Sequence, residues 1–288
     1  MASIEMTSLS THLGVEIFGI DLSQPIPDPV FKEIEEAFNE QSVVLFRGVK
    51  VTPEQHIAFS KRFGELEIHV RKEAIRQDYP ELFVVSNVIE NGKPIGSIDA
   101  GQFWHTDLSY KRDPSRGSLL LSHEVPMRNG TAVGDTLFVS TAAAYEALSP
   151  SLRNSLEGLK AVHRYEKGYS RDRPSGRRPP LTETQRAALP AVEHPVVRTH
   201  PYTGRKCLFV NEGYTTEIVG MPKEESDALL GMLFEHCVKP EFQYRHQWRV
   251  GDLLMWDNCA TQHIAINDYD PTMRRRMERT TLKGTVPF

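Results

Sequence analysis

Seven short runs rich in β-branched and aromatic residues recur along the 288-residue chain, and they constrain its fold more than any other feature. They lie at 42–46, 82–85, 118–121, 136–139, 242–248, 252–256 and 277–282. Each has the length of a strand and is too short for an amphipathic helix. Within 242–248 the aromatics Phe242, Tyr244 and Trp248 alternate with Gln243, Arg245 and Gln247, the period of a half-buried strand. A mostly β fold with flanking helices is expected. The clearest helix starts at Thr52, where Thr52-Pro53-Glu54-Gln55 supplies an N-cap, a proline at N1 and a glutamine at N3, and Gly64 stops it. Others are expected at about 29–39, with Phe31, Ile34 and Phe38 on one face, and at 140–148 and 222–237.

A chain of this length with 39% hydrophobic residues can bury one large core, so a single domain over 1–288 is expected. Cys207, Cys237 and Cys259 are far apart and form no C-x-x-C pair, which argues against a disulfide framework or a thiolate zinc knuckle and fits a cytoplasmic location. No apolar run approaches the roughly 20 residues of a membrane span. A formal net charge of −4 argues against nucleic acid and for a small-molecule partner. Residues 170–180 place Arg171, Arg173, Arg177 and Arg178 among Ser, Gly and Pro, so a mobile loop is expected at about 166–188, either a solvated linker or a lid.

Two distant stretches carry metal-ligand residue types. The first is Trp104-His105-Thr106-Asp107, which follows a loop containing Gly96 and Gly101. In an extended chain residues two apart share a side, so His105 and Asp107 can face one ion while Trp104 and Thr106 face away. Alone, H-x-D is a weak signal in a chain with 11 histidines. The second stretch runs from Asp252 through Asp257-Asn258 to Thr261-Gln262-His263, followed by Arg274, Arg275 and Arg276. One more neutral imidazole completes a set of two histidines and one carboxylate. On Fe(II) that set leaves open positions for a co-substrate and O2, and on zinc it makes a hydrolytic site with bound water. The arginines favour iron, because 2-oxoglutarate on the metal would offer its distal carboxylate to an Arg fork.

These motifs resemble the taurine and 2,4-dichlorophenoxyacetate dioxygenase family of 2-oxoglutarate-dependent oxygenases. The likeness spans nearly the whole chain. It runs from Gly14-Val15-Glu16-Ile17, through Val44-Leu45-Phe46-Arg47 and Arg62-Phe63-Gly64-Glu65-Leu66, to the stretch ending at Gln262-His263. Between them His194-Pro195-Val196-Val197-Arg198-Thr199-His200-Pro201 and Phe209-Val210-Asn211-Glu212-Gly213 match in order and spacing. The resemblance implies a double-stranded β-helix (jelly roll) core. It implies Fe(II) on His105, Asp107 and His263, and Thr136 with Arg275 on the distal carboxylate of 2-oxoglutarate. Arg274 or Arg276 replaces Arg275 if the alignment slips by one. It further implies O2 as second co-substrate, hydroxylation of a substrate carbon, release of succinate and CO2, and a homo-oligomer, a dimer or a tetramer.

Compared with taurine dioxygenases, His69 and Arg279 match the positions that hold a sulfonate, which implies a small anionic organic substrate. Tyr169 and Tyr214 stand where those enzymes carry phenylalanines beside the substrate, and Lys72 and Gly101 where they carry a tyrosine and an asparagine. These departures count against taurine itself and leave open another alkyl sulfonate, a sulfate ester, or an aryloxyalkanoate or other carboxylate. Asp257 and Asn258 are expected to shape the turn before His263, His194 and His200 to be structural, and Tyr145, Phe138 and Trp248 to be core. Two rival readings stand beside the dioxygenase: a zinc metallohydrolase on the same ligands, and a non-catalytic binding module of the same fold.

Overall fold

A computed structural model describes residues 4–69, 72–98, 101–171 and 181–288. Its large sheet is built from β1 (Glu5–Ser8), β2 (Val15–Phe18), β3 (Val43–Phe46), β4 (Ile75–Arg76), β5 (Tyr79–Ser86) and β6 (Gly117–Glu124), with two strands from the C-terminal part of the chain. A second sheet starts with β7 (Thr136–Ser140), and a third holds β8 (Lys160–His163), β9 (Val192–Pro195) and β10 (Thr215–Ile218). The second sheet is completed by β11 (Gln243–His246) and β13 (Thr261–Ala265), and the large sheet by β12 (Leu253–Asp257) and β14 (Arg276–Leu282). The spatial order of the large sheet is β1-β2-β3-β12-β6-β14-β5-β4, and that of the second is β11-β7-β13. Named strand pairs are antiparallel except β2 with β3.

Strand parity explains why this sheet reads as unbroken apolar runs. On β3, Val44 and Phe46 pack with Phe31, Ile34 and Phe38 of α1 (Asp28–Gln41) and Ile57 and Phe59 of α2 (Pro53–Lys61). Val43 and Leu45 point the other way, into a layer with Phe138, Tyr244 and Trp248 of the second sheet and its flank. On β12, Leu253 and Met255 take the helix side while Leu254 and Trp256 take the inner side. Both faces are therefore buried, and no polar alternation is needed. The space between the two sheets holds the candidate site.

The helices form where sequence chemistry asks for them. Thr52 caps α2, accepting from Gln55 N at 3.3 Å, while the Gln55 side chain accepts from Thr52 N at 2.8 Å, a closed capping box. The expected helices at 140–148 and 222–237 are α3 (Thr141–Glu146), followed by α4 (Pro150–Leu156), and α7 (Lys223–Cys237). The expected loop at about 166–188 is helical at both ends, as α5 (Tyr165–Arg171) and α6 (Glu183–Ala188). Arg173, Arg177 and Arg178 lie outside the described residues. The third sheet was not expected. Its strands are four residues long and mix polar with apolar side chains, and its core with α3 and α7 comes together only in three dimensions. Among the described residues no helix is long and apolar enough to cross a membrane.

Candidate active site

A cavity of about 120 Å³ opens between the large and second sheets, and His105, Asp107 and His263 lie on its wall. Their ligand atoms all fall within 4.8 Å of one another, and all three residues are buried. His263 comes from β13. His105 pairs with it through two backbone hydrogen bonds, His105 N to His263 O at 3.1 Å and His263 N to His105 O at 2.9 Å. The chain is extended only as far as His105. Asp107 already enters a turn, and Leu108 has φ of 57°, a left-handed conformation rare for a leucine. That turn, rather than strand alternation through the whole motif, brings the carboxylate beside the imidazoles.

The protonation pattern suits a cation. His105 Nδ1 lies 2.8 Å from Phe103 O, and a carbonyl can only accept, so Nδ1 donates there and Nε2 is the ring nitrogen turned toward the other two ligands. Burial, followed by the neighbouring His105, pushes the His263 pKa well below its usual value, which favours the neutral, metal-binding form of that imidazole. For Asp107 burial is the largest influence and opposes ionisation. Arg279, His263 and His105 together outweigh it and hold the carboxyl well below its usual range. Two imidazoles and one carboxylate, with Asp107 oxygens 3.7 Å and 4.0 Å from the two Nε2 atoms, form a donor set that could hold a divalent metal.

Asp107 is fixed from several directions. Arg279 Nη1 donates to Asp107 Oδ1 and Oδ2 at 3.1 Å each, and Ser118 Oγ donates to Oδ2 at 2.9 Å. Asp107 N donates to Asn258 Oδ1 at 3.3 Å, so Asn258 does more than shape its own turn. Asp257, by contrast, accepts from Cys259 N and Thr261 Oγ1 within that turn, as expected. Ser118 carried a partly readable signal, one of two serines that bracket the leucine run of β6 on the same strand face as Leu120. Replacing Ser118 with alanine should weaken metal binding tenfold to about a hundredfold, the usual effect of losing a partner that orients a ligand. Competition for Co(II) against a chelator measures it, and unchanged affinity would refute the role.

The remaining sequence candidates converge on the same cavity. Thr136 and Arg275 line it and are 6% and 7% exposed. Trp248 Nε1 donates to Thr136 Oγ1 at 3.0 Å, leaving the threonine hydroxyl hydrogen to be offered elsewhere. Trp248, expected as core alone, is fully buried and also lines the cavity. Burial lowers the Arg275 pKa, with Tyr269 acting in the opposite direction. Among the described residues no carboxylate lies within ion-pair distance of the Arg275 guanidinium. Arg274 and Arg276 do have such partners, Glu124 and Glu278. His69, Tyr169, Tyr214 and Arg279 also line the cavity, with the His69 ring tilted against that of Phe83 at a centroid distance of 4.3 Å. Gly101 lines it too, while Lys72 opens a 3-10 turn (Lys72–Ala74) and its side chain lies outside the described residues. Phe103, Tyr110 and Tyr165 are lining residues that carried no motif.

A second buried group, His200, Asp257 and Cys259, has the composition of a metal site but not its protonation. His200 Nδ1 accepts from Tyr202 N and Thr203 N, so its proton is on Nε2 and goes to Asp257 Oδ2 at 2.9 Å. That histidine is structural, as expected.

Such a donor set, beside a buried arginine that has no carboxylate partner among the described residues, suits a metal-dependent enzyme that also takes an anionic co-substrate. The comparisons with known proteins give the particular family. Residues 5–281 match the family described as taurine catabolism dioxygenase TauD, TfdA family. The chain belongs to that family and is a dioxygenase. It is 39% identical over 290 residues to an alpha-ketoglutarate-dependent 2,4-dichlorophenoxyacetate dioxygenase of Cupriavidus pinatubonensis, covering 95% of each protein. A crystal structure of a taurine dioxygenase from Burkholderia xenovorans superposes with a TM-score of 0.82 at 35% identity, over 99% of this chain and 91% of that one. The structure of AAD-2 in complex with Mn(II) and N-oxalylglycine gives 0.81 at 31% identity, over 99% of both.

Proposed function

We propose that this protein is an Fe(II)- and 2-oxoglutarate-dependent dioxygenase that hydroxylates a small anionic organic substrate, with aryloxyalkanoates as the favoured class and alkyl sulfonates or sulfate esters as the second. The observation that carries the reading is Arg275, a buried guanidinium with no carboxylate beside it among the described residues, in the same cavity as the three-ligand group. A zinc hydrolase on these ligands would give that cation and Thr136 no task. The AAD-2 structure is consistent with it, because N-oxalylglycine has the shape and charges of 2-oxoglutarate and accompanies a divalent metal there. The two facing sheets, antiparallel but for β2 with β3 and sharing one buried layer, support reading the core as a double-stranded β-helix.

His105, Asp107 and His263 would hold the iron, and Thr136 and Arg275 the distal carboxylate of 2-oxoglutarate. When bound, the metal and its co-substrate supply the oxidising chemistry that inserts one atom of O2 into the substrate, with succinate and CO2 as the other products. The chain's own residues bind, orient and exclude water. Arg279 gives Nη1 to Asp107 and keeps its other donors for the cavity, where with His69 it can meet the substrate anion. Aromatic walls from Phe83, Phe103, Tyr110, Tyr165, Tyr169 and Tyr214 favour a planar aromatic substrate over a short alkyl one. That preference agrees with the 2,4-dichlorophenoxyacetate activity named for the Cupriavidus relative.

The test is anaerobic titration of the metal-free protein with Fe(II) and 2-oxoglutarate, monitored for the visible metal-to-ligand charge-transfer band. Succinate release is then scored over a panel of aryloxy acids, sulfonates and sulfate esters. A band needing both additions, with succinate coupled to consumption of one acid, is expected. No band and no succinate, with zinc retained on purification, would favour the hydrolase.

A further inference from the structure

The ring of Tyr214 sits where a side chain at position 168 would otherwise be. A Cβ placed on Gly168 of α5 would lie 2.4 Å from Tyr214 Cε1, 3.0 Å from Tyr214 Cδ1 and 3.0 Å from Phe103 Cζ. The Phe103 ring is confined from the other side by Gly213, whose added Cβ would lie 2.5 Å from Phe103 Cε2. Two glycines from separate segments thus let two rings settle against His105. Ring centroids are 5.3 Å apart for Phe103 and His105, 5.7 Å for Phe103 and Tyr214, and 6.2 Å for His105 and Tyr214.

Helix α5 has no freedom to rise at that point without losing other contacts. Arg164 N donates to Tyr214 O at 2.9 Å, and Lys167 Nζ donates to Thr215 O. Tyr165 of the same helix packs on Tyr110 at 4.7 Å, and Tyr110 on Tyr214 at 4.8 Å. The glycine's own φ is unremarkable, so conformational freedom is not why it is there. What matters is the missing methyl group.

We propose that Gly168 is a specificity-determining residue, its bare Cα setting the position of the Tyr214 ring and so the width of the chamber that accepts the aromatic part of the substrate. The proposal rests on the dioxygenase reading for its substrate class. A methyl at 168 must drive the Tyr214 ring away by about 1 Å to restore ordinary van der Waals contact. The ring is hemmed by Phe103, Tyr110 and His105, all lining the cavity, so the displacement alters the cavity itself. Wide substrates lose more than narrow ones, because their binding depends on that space.

The experiment compares phenoxyacetate with 2,4-dichlorophenoxyacetate in the wild-type enzyme, Gly168→Ala, Tyr214→Leu and the double variant. Gly168→Ala should lower the ratio of kcat/KM for the dichloro acid over phenoxyacetate by about tenfold or more, with the change in KM. Tyr214→Leu in the same chain, which removes Cε1, the atom that the methyl meets most closely, should restore most of that ratio. Calorimetric Kd values for both acids on the metal-free proteins should follow the same order, which gives a readout independent of turnover. An equal loss for both acids, or no rescue by Tyr214→Leu, overturns the proposal. If the wild-type protein binds neither acid, the aryloxy reading fails with it. Melting curves then separate the two failures, because Gly168→Ala should still lower Tm and Tyr214→Leu should still recover it if the 168–214 contact is real.

Discussion

An Asp107→Asn enzyme is expected to release succinate at least about 10³-fold more slowly than wild type at saturating 2-oxoglutarate and to lose its metal on dialysis. Asparagine keeps the shape of the side chain but offers a weak neutral donor in place of the only carboxylate in the three-ligand group. A loss of about 4 kcal/mol of transition-state stabilisation is enough for that factor. The variant should also be less stable when metal-free. Arg279 is buried, and its ion-pair partner in the structure is Asp107. Removing one member of a buried ion pair costs about 3–5 kcal/mol, because the other charge stays buried without a partner. The amide oxygen can still accept one bond from Arg279, so the lower end, about 3 kcal/mol, is expected. For a chain of this size that amounts to a Tm fall of several degrees. Metal titration followed by calorimetry, together with thermal melts of the metal-free proteins, checks both parts. Wild-type metal affinity in the variant would remove Asp107 from the ligand set.

The residues of this site differ in how far a sequence can reveal them. His105, Asp107 and His263 are visible because the residue types able to hold a metal are few and the motifs around these three are long. The central strands of the large sheet, which pack behind the site, are visible for a separate reason. Val43–Phe46 and Leu253–Asp257 are buried on both faces and read as unbroken apolar runs. The bond from Arg279 to Asp107 has no local trace, since 172 residues separate the partners. An arginine expected to serve the substrate also helps keep ionised a carboxylate whose burial works against its charge. The tyrosine wall was half visible. Tyr169 and Tyr214 stood out against the family pattern, whereas Tyr110 and Tyr165 acquire their place only when α5 packs on the segment around Tyr214. The four-residue strands of the third sheet lie below what periodicity can resolve, because two alternations of polar and apolar residues occur by chance. The turn at Leu108 was likewise invisible, since leucine gives no cue for a positive φ and the surrounding contacts impose it.

Arg275→Met should separate the site's needs from the fold's. The guanidinium is buried and has no carboxylate partner among the described residues, and burial already depresses its pKa. A cation desolvated without a counter-ion is a cost to the folded protein, so removing it should leave the ligand-free Tm unchanged or raise it by a few degrees. Nothing in the backbone depends on the charge. Arg275 N donates to Asn87 Oδ1 at 2.8 Å, and Arg275 O accepts from Ser86 Oγ at 2.8 Å, bonds that methionine preserves. Binding of 2-oxoglutarate should suffer in the opposite sense. Losing a buried charge-assisted contact typically costs 2–5 kcal/mol, so KM for 2-oxoglutarate is expected to rise about a hundredfold or more. In wild type, 2-oxoglutarate at a hundred times its Kd stabilises the folded state by about 2.7 kcal/mol, and in the variant at the same concentration this shift should nearly vanish. Thermal melts with and without the co-substrate, beside initial rates, measure all three quantities. A lower ligand-free Tm combined with an intact 2-oxoglutarate shift would make Arg275 a structural residue and would leave the distal carboxylate to be placed on another cation.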